Sequence, residues 1–185
     1  MKFFKIFLII FISINTLVKA DSKKNLIKNL KEGGQLIFIR HAYAPGNGDP
    51  ENFNINDCNT QRNLNENGRI QSRKIGNFFK DNQIEIKKIY SSEWCRCKET
   101  ASIAFGVFET KNFLNSFYSS NFAHNKKSQM KNFKKFMMNW DKKTNLIFVT
   151  HYVVIIEILG YAPSSGEIII TDKNLKIVDT FEVEY

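Results

Sequence analysis

Two apolar segments of this chain end in a histidine, a residue type that can act as a nucleophile or bind an anion. Residues 36–41 read Leu-Ile-Phe-Ile-Arg-His, and residues 146–151 read Leu-Ile-Phe-Val-Thr-His. Apolar runs of this length are typical of strands buried on both faces of a parallel sheet. Because ligands bind at the carboxyl edge of open α/β sheets, the two segments predict one site that contains both histidines.

Arg40 and His41 together suit attack on a phosphorus centre. A guanidinium fork binds phosphate oxygens in pairs, and a buried arginine at a strand end is costly unless it meets an anion. The positive charge beside His41 favours the neutral imidazole, which is a nucleophile at ordinary pH. His151 could hold the same anion as a cation or as a hydrogen-bond donor.

A third segment brings Arg96 into the same chemistry. Residues 90–101 read Tyr-Ser-Ser-Glu-Trp-Cys-Arg-Cys-Lys-Glu-Thr-Ala, and we predict that a strand turns into a helix here. Helix N-termini present N–H groups to anions, and a cation in the first turn is electrostatically unfavourable without one. A solvated Arg96 explains this segment alone equally well, but with the other three residues Arg96 completes a phosphate site.

In combination, these motifs resemble those of the histidine phosphatase superfamily. The family has Arg-His-Gly after its first strand, and this chain has Arg-His-Ala at residues 40–42. Residues 64–68 resemble the family's leucine-threonine-x-x-glycine helix start, and residues 91–101 carry its serine-serine-x-x-x-arginine-x-x-x-threonine-alanine in full. The Thr-His pair at residues 150–151 completes the set. Further short matches around Cys58, Cys95 and Ser165 resemble a small exported branch.

The resemblance implies a role for each residue of the site. His41 is expected to be the nucleophile and to become phosphohistidine, which water then hydrolyses. Arg40, Arg96 and His151 are expected to hold the phosphoryl oxygens and to stabilise the transition state. The family's chemistry needs no metal and no other cofactor, because cationic side chains supply the positive charge.

Two features depart from the family pattern. Ala42 stands where the family has glycine, which is a small change unless the backbone there needs a positive φ. Many members also carry a carboxyl group after the second motif that protonates the leaving oxygen. The candidates here are Glu93, Glu109 and His124; we retain Glu93, at the helix start beside Arg96, as the candidate catalytic carboxyl.

The loop at residues 42–63 is long, polar and rich in asparagine and glycine, and its position after the first strand favours a functional role. Arg62 in this loop is either a substrate contact or an ordinary surface residue. Asn63 and Glu66 resemble a capping box, which predicts that Asn63 begins the next helix.

The remaining pattern predicts the elements that must position these residues. Strands and helices alternate along the chain, and residues 172–174 are predicted to form a β-hairpin turn. This alternation predicts a three-layer α/β domain over residues 21–185, with a mostly parallel sheet, helices on both faces and a C-terminal hairpin. The predicted strands are 35–40, 87–90, 145–150, 167–171 and 175–183, the predicted helices are 25–31, 63–82, 93–105, 126–140 and 153–160, and residues 106–125 are predicted to be irregular.

Residues 1–20 resemble a secretory signal peptide. Two lysines precede an apolar run at residues 6–14, and Val-Lys-Ala at 18–20 fits a cleavage site. The run is too short to span a bilayer comfortably. We therefore predict cleavage after Ala20, a periplasmic or secreted protein, and no stable membrane insertion afterwards; an uncleaved N-terminal anchor is the alternative.

An oxidising compartment would allow the three cysteines to form a disulfide. Cys95 and Cys97 are two residues apart on a predicted helix, where side chains do not face each other. A bond would therefore join Cys58 to one of them, and the sequence does not decide which. A zinc site is disfavoured, because the spaced cysteine pairs of structural zinc sites are missing.

The formal charge of +9 fits an anionic substrate. It also fits a surface near lipid or nucleic acid, although a solvated, lysine-rich surface is the simplest explanation. The leading hypothesis is an exported phosphomonoester hydrolase that acts on a phosphorylated small molecule or envelope component, with no nucleic-acid partner. The alternatives are a phosphohistidine phosphatase acting on protein, and a binding module that holds a phosphorylated ligand without turnover.

Overall fold

The computed structural model describes residues 24–185, so the predicted signal peptide lies outside the described residues. Within this range the strands form a single six-stranded sheet, with the order β3-β2-β4-β1-β5-β6. The strands are β1 (Leu36–Arg40), β2 (Lys88–Ser91), β3 (Glu109–Thr110), β4 (Leu146–Thr150), β5 (Ile168–Thr171) and β6 (Ile177–Phe181).

The described chain also contains six helices. They are α1 (24–32), α2 (Glu66–Asp81), α3 (Cys95–Phe105), α4 (Ser120–Ala123), α5 (Lys126–Met138) and α6 (Tyr152–Leu159), with 3₁₀ turns at Cys58–Thr60 and Asn112–Leu114. Across residues 24–185, none of these helices has both the length and the apolar character needed to cross a membrane.

The sheet is parallel except where the last two strands of the chain, β5 and β6, are added to it. Strand β4 pairs in parallel with β1 and β2, whereas β5 runs antiparallel to both β1 and β6. The parallel register places Arg40 opposite Thr150 and Ser91 opposite Val149, so three strands end at one edge. The predicted fold class, a mostly parallel sheet with a C-terminal hairpin, is confirmed.

Helices pack on both faces because the central strands β1 and β4 are apolar at their first four positions. Successive side chains of a strand point to opposite faces, and β1 is apolar at each of its first four positions. Ile37 and Ile39 join a core formed with α1, α2 and α3. Leu36 and Phe38 join the core on the other face, which α5 and α6 cover.

Several predicted boundaries were wrong by a few residues. Helix α2 is capped by Asn65, whose Oδ1 accepts from the Gly68 N–H at 3.0 Å, and not by Asn63. Asn63 instead donates from Nδ2 to the Cys58 carbonyl at 2.6 Å. Helix α3 begins at Cys95 rather than at residue 93. The segment 106–125, predicted to be irregular, contains strand β3, a 3₁₀ turn and helix α4.

Candidate active site

The ends of strands β1 and β4 bring His41 and His151 together. The two strands are neighbours in the sheet, and the His41 N–H donates to the Thr150 carbonyl at 2.9 Å. The ring centroids lie 5.4 Å apart, and each residue is only 2% exposed. The predicted meeting of the two histidines at one edge of the sheet is therefore present in the structure.

The hydrogen bonds of His41 fix its ring orientation and the nitrogen that carries the proton. Its Nδ1 lies 2.8 Å from the Ala42 carbonyl, and because a carbonyl can only accept, Nδ1 carries the proton. The Nε2 atom is then a lone-pair acceptor, and the Arg96 Nε–H donates to it at 3.2 Å. Burial and the charge of Arg96 hold the pKa of His41 well below its ordinary value. His41 is thus a neutral imidazole whose ring lone pair lies on Nε2.

The His151 ring is held through Nε2, whereas the His41 ring is held through Nδ1. Its Nε2 lies 2.9 Å from Ser92 Oγ, and that hydroxyl donates to Asn115 Oδ1 at 3.1 Å. Since the Ser92 proton is used in this way, the hydroxyl accepts from the His151 Nε2–H, which leaves Nδ1 as the acceptor nitrogen. Burial and the charge of Arg96 also hold the pKa of His151 well below its ordinary value.

Two arginines provide donors for an anion beside the histidines. Arg96, in the first turn of α3, is only 3% exposed. The Arg40 guanidinium lies 5.3 Å from the centre of the Tyr152 ring and donates from Nη1 to the Pro163 carbonyl at 2.9 Å. Within the described chain, the buried Nε of Arg40 has no hydrogen-bond partner. Phosphoryl oxygens would supply acceptors for such donors.

These side chains line a cavity of about 730 Å³ at the carboxyl edge of the sheet. Arg62 also lines the cavity, and its Nε donates to the Gly48 carbonyl at 2.8 Å. One wall is aromatic, with the Phe53 and Trp94 rings stacked at 5.0 Å. The predicted residues that the structure brings together here are Arg40, His41, Arg62, Arg96 and His151.

Asp49, which was not among the predicted site residues, lines the cavity from the loop at 42–63. Its carboxylate accepts from Arg96 Nη1 at 2.7 Å and from Arg96 Nη2 at 3.2 Å. Burial opposes ionisation of this group, but the hydrogen bonds and charge of Arg96 outweigh it and hold the pKa of Asp49 below its ordinary value. The available signal was an aspartate between Gly48 and Pro50 in a loop already expected to be functional.

The structure does not bring the three general-acid candidates to the cavity. Glu93 is absent from its lining, and its Oε2 accepts from Asn115 Nδ2. Glu109 is exposed and pairs with Lys111 at 3.1 Å. His124 is exposed and lies in a separate surface groove along α5.

Two carboxylates line the cavity within residues 24–185, Asp49 and Glu51, and both belong to the loop after β1. Over the same residues, no three histidine, cysteine, aspartate or glutamate side chains group so that they could hold a metal ion.

Helix α3 is tied at two points to the loop at residues 42–63. The structure joins Cys58 to Cys95 by a disulfide, one of the two pairings that the sequence left open, and Cys97 stays reduced and buried. Burial raises the pKa of the Cys97 thiol to about 12. Thr100 Oγ1 accepts from the Ala42 N–H at 3.0 Å, so the motif threonine anchors the loop that carries His41.

Alanine in place of the family's glycine is accommodated. Ala42 is fully buried, and it is absent from the described residues that have a positive φ. Gly68, by contrast, has no room for a side chain, because a Cβ there would lie 2.1 Å from the Tyr43 carbonyl oxygen. The glycine of the α2 motif therefore lets the helix approach the loop after His41 closely.

Known structures share this fold at low sequence identity. The putative phosphohistidine phosphatase SixA from Agrobacterium tumefaciens has a TM-score of 0.55 and 16% identity, over 80% of this chain and 96% of that chain. The protein TTHB049 from Thermus thermophilus has a TM-score of 0.56 and 12% identity, over 80% and 99%. The Rv3214 product from Mycobacterium tuberculosis has a TM-score of 0.53 and 15% identity, over 74% and 89%.

A sequence comparison with curated proteins gave no match. Residues 36–116, which run from strand β1 to the segment after β3 and contain Arg40, His41 and Arg96, match the family model described as histidine phosphatase superfamily (branch 1). The sheet topology and the site geometry agree with this similarity to branch 1 of the histidine phosphatase superfamily.

Proposed function

We propose that this chain is an exported, metal-independent phosphatase that hydrolyses phosphomonoesters through a phosphohistidine on His41. One observation carries the proposal. The Nδ1 atom of His41 is committed to the Ala42 carbonyl at 2.8 Å, so the lone pair of Nε2 is directed to a buried arginine in a cavity lined by cationic side chains. That arrangement suits attack on the phosphorus of a bound dianion.

In the first step, His41 Nε2 attacks phosphorus and forms an N–P bond, while the P–O bond to the leaving group breaks. The phosphoryl group carries negative charge throughout, and the guanidinium groups of Arg40 and Arg96 stabilise it. The His151 ring lies 5.4 Å from the His41 ring and would become a cationic donor to the same oxygens as the anion binds, because a nearby negative charge raises an imidazole pKa.

In the second step, water attacks the phosphorus, the N–P bond breaks, and inorganic phosphate leaves. The leaving oxygen of the first step needs a proton unless it is stable as an anion. Asp49 is held ionised by Arg96 and is a poor donor, and Glu51 is exposed at the edge of the cavity. This supports substrates with good leaving groups.

The poor proton donors at the cavity also favour a second candidate, a phosphohistidine phosphatase that acts on protein. Transfer from one imidazole to another demands less of a general acid than cleavage of an alkyl ester. The fold of the putative phosphohistidine phosphatase SixA from Agrobacterium tumefaciens is compatible with this candidate. Comparing initial rates on a phosphohistidine protein and on sugar phosphates separates the two.

Export is part of the proposal. The signal-like residues 1–20 and the Cys58–Cys95 disulfide both support an oxidising, periplasmic or secreted location. The physiological substrate would then be a phosphorylated small molecule or envelope component. Rates on sugar phosphates and on lipopolysaccharide-core fragments, measured across pH 4–8, would rank these classes.

The decisive test is to trap the intermediate. Wild-type protein mixed with ³²P-labelled 4-nitrophenyl phosphate and quenched in alkali should carry label that is stable to base and lost in acid. His41→Ala should carry none and should lose turnover by about 10⁴-fold or more. The matched control is His124→Ala, an exposed histidine outside the cavity, which should behave as wild type. Full phosphatase activity in His41→Ala would falsify the mechanism, and a non-catalytic binding module would give neither label nor turnover.

A further inference from the structure

Asp49 contacts Arg96 along one edge only. A guanidinium has an end edge formed by Nη1 and Nη2, and a side edge formed by Nε and the adjacent Nη2 hydrogen. The two Asp49 oxygens occupy the end edge at 2.7 and 3.2 Å. The side edge faces His41, where Nε reaches Nε2 at 3.2 Å. The Asp49 carboxylate therefore contacts the end edge of the Arg96 guanidinium, and His41 contacts its side edge.

Asp49 is itself held at four points, which makes it a rigid support. Besides the two bonds from Arg96, Oδ1 accepts from the Arg62 backbone N–H at 3.0 Å, and Oδ2 accepts from Trp94 Nε1 at 3.0 Å. Its side chain is 15% exposed. Each carboxylate oxygen accepts two hydrogen bonds, so the Asp49 side chain has little freedom to move. It can therefore fix the position of the Arg96 guanidinium.

Arg96 needs such a support, because its own position is electrostatically unfavourable. It is 3% exposed and lies in the first turn of α3, where the helix dipole repels a cation. Its Nη1 also donates to the Arg62 carbonyl at 3.2 Å. The loop after β1 therefore satisfies the end edge of Arg96 completely and leaves the side edge for a ligand.

We infer that Asp49 is a positioning residue for phosphoryl transfer: it fixes the Arg96 guanidinium so that its Nε–Nη2 edge faces a phosphoryl group on His41 Nε2. This inference depends on the proposed phosphatase function and extends it to a residue outside the resemblance motifs. Asp49 neither donates a proton nor contacts the reacting atoms; it acts through Arg96.

The geometry distinguishes this role from two others. A carboxylate that blocks the site would compete with phosphate, so its removal would tighten phosphate binding. A general acid would matter for poor leaving groups and little for 4-nitrophenolate, which leaves as an anion. A positioning residue should matter equally for both kinds of ester, because it acts on the phosphoryl group common to them.

The test compares Asp49→Asn with wild type in kcat/KM on 4-nitrophenyl phosphate and on an alkyl phosphate, and in the Kd for inorganic phosphate. We expect kcat/KM to fall about 10- to 100-fold on both esters, and phosphate binding to weaken. Asp49→Glu, which keeps the charge but displaces it, should recover part of the loss. Tighter phosphate binding, a loss confined to the alkyl ester, or an unchanged kcat/KM would overturn the inference.

A double-mutant cycle separates positioning from a general weakening of the loop. In an Arg96→Ala background, adding Asp49→Asn should change the Kd for phosphate less than about 2-fold, since the two residues act as one unit. An undiminished effect in that background contradicts the inference. Asp57→Asn is the matched control: it makes the same charge-removing exchange at an aspartate of the same loop, whose Oδ1 accepts from the Asn59 N–H at 3.0 Å away from the cavity.

Failure of the inference and failure of the proposed function are distinguishable. If wild-type protein neither turns over phosphate esters nor forms a labelled phosphohistidine, the proposed function fails. If it does both, and Asp49→Asn is as active as wild type, the positioning role alone fails. Melting temperatures of all variants, measured with the disulfide intact, show that each comparison is made between folded proteins.

Discussion

His41 and His151 end two adjacent parallel strands of almost the same sequence, but they are held by opposite ring nitrogens. His41 bonds through Nδ1 to the carbonyl of the next residue, Ala42. His151 bonds through Nε2 to Ser92, which is 59 residues away in sequence. One ring is therefore oriented by its own strand end, and the other by a neighbouring strand end.

This difference assigns different chemistry to two residues that the sequence presents as equivalent. The Nε2 of His41 is the atom directed to Arg96, so His41 can form the N–P bond. The Nε2 of His151 is committed to a hydroxyl, so its remaining contribution to a phosphoryl group is through Nδ1. In the proposed mechanism, local backbone geometry therefore orients the nucleophile, whereas tertiary packing orients the second histidine.

The comparison is tested most strongly by replacing His151. We expect His151→Gln to lower kcat/KM on 4-nitrophenyl phosphate by about 10²- to 10³-fold, because a neutral amide replaces the cationic donor of the transition state. Labelled phosphoenzyme should still accumulate, unlike in His41→Ala. The measurement is quenched-flow labelling beside steady-state rates. If His151→Gln abolishes labelling and His41→Ala does not, the roles are reversed.

The sequence predicted the strand ends well because the signal there is local. Buried strands of a parallel sheet must be apolar along their whole length, so a run that stops at a charged residue marks both a strand end and a candidate site. For this reason Arg40, His41 and His151 were found before the fold was known. Arg96 needed its neighbours in the motif, because a cation at a helix start is ambiguous alone.

Asp49 could not be found in the same way. Its role depends on a loop conformation that places it against Arg96, which follows it by 47 residues, and no periodicity specifies such a contact. Glu93 illustrates the opposite error, because nearness to Arg96 in sequence does not bring it to the cavity. Its side chain is held by Asn115 instead. Sequence patterns therefore predict the sheet, but they do not predict the contacts between irregular segments.

The acid dependence of stability tests whether both rings are buried in the neutral form. The pKa of each is well below its ordinary value in the folded protein, mainly through burial, whereas in the unfolded chain it returns to about 6.5. The unfolded state therefore binds more protons below that pH, and stability present above pH 6.5 is lost as the pH falls. With two such groups, the free energy of unfolding changes by up to about 2.7 kcal/mol per pH unit.

Urea unfolding between pH 6.5 and 5 would measure this slope. His41→Asn and His151→Asn should each remove about half of it, although the two rings are held by different atoms. His124→Asn, at an exposed position, should leave the slope unchanged. A slope that disappears in one variant and is intact in the other would show that a single ring is buried neutral.

The smallest expected effect concerns the hydroxyl that distinguishes the two histidines. Ser92→Ala removes the oxygen partner of His151 Nε2, leaves it only the weak sulfur contact with Cys97 at 3.5 Å, and does not touch His41. Loss of a good partner costs a buried donor up to about 1–3 kcal/mol, and if half of that reaches the transition state, kcat/KM falls about 3- to 10-fold. Ser128→Ala, at an exposed serine of α5, is the control and should be neutral. In a His151→Gln background the Ser92 effect should shrink; if it persists there at full size, the hydroxyl does not act through the imidazole.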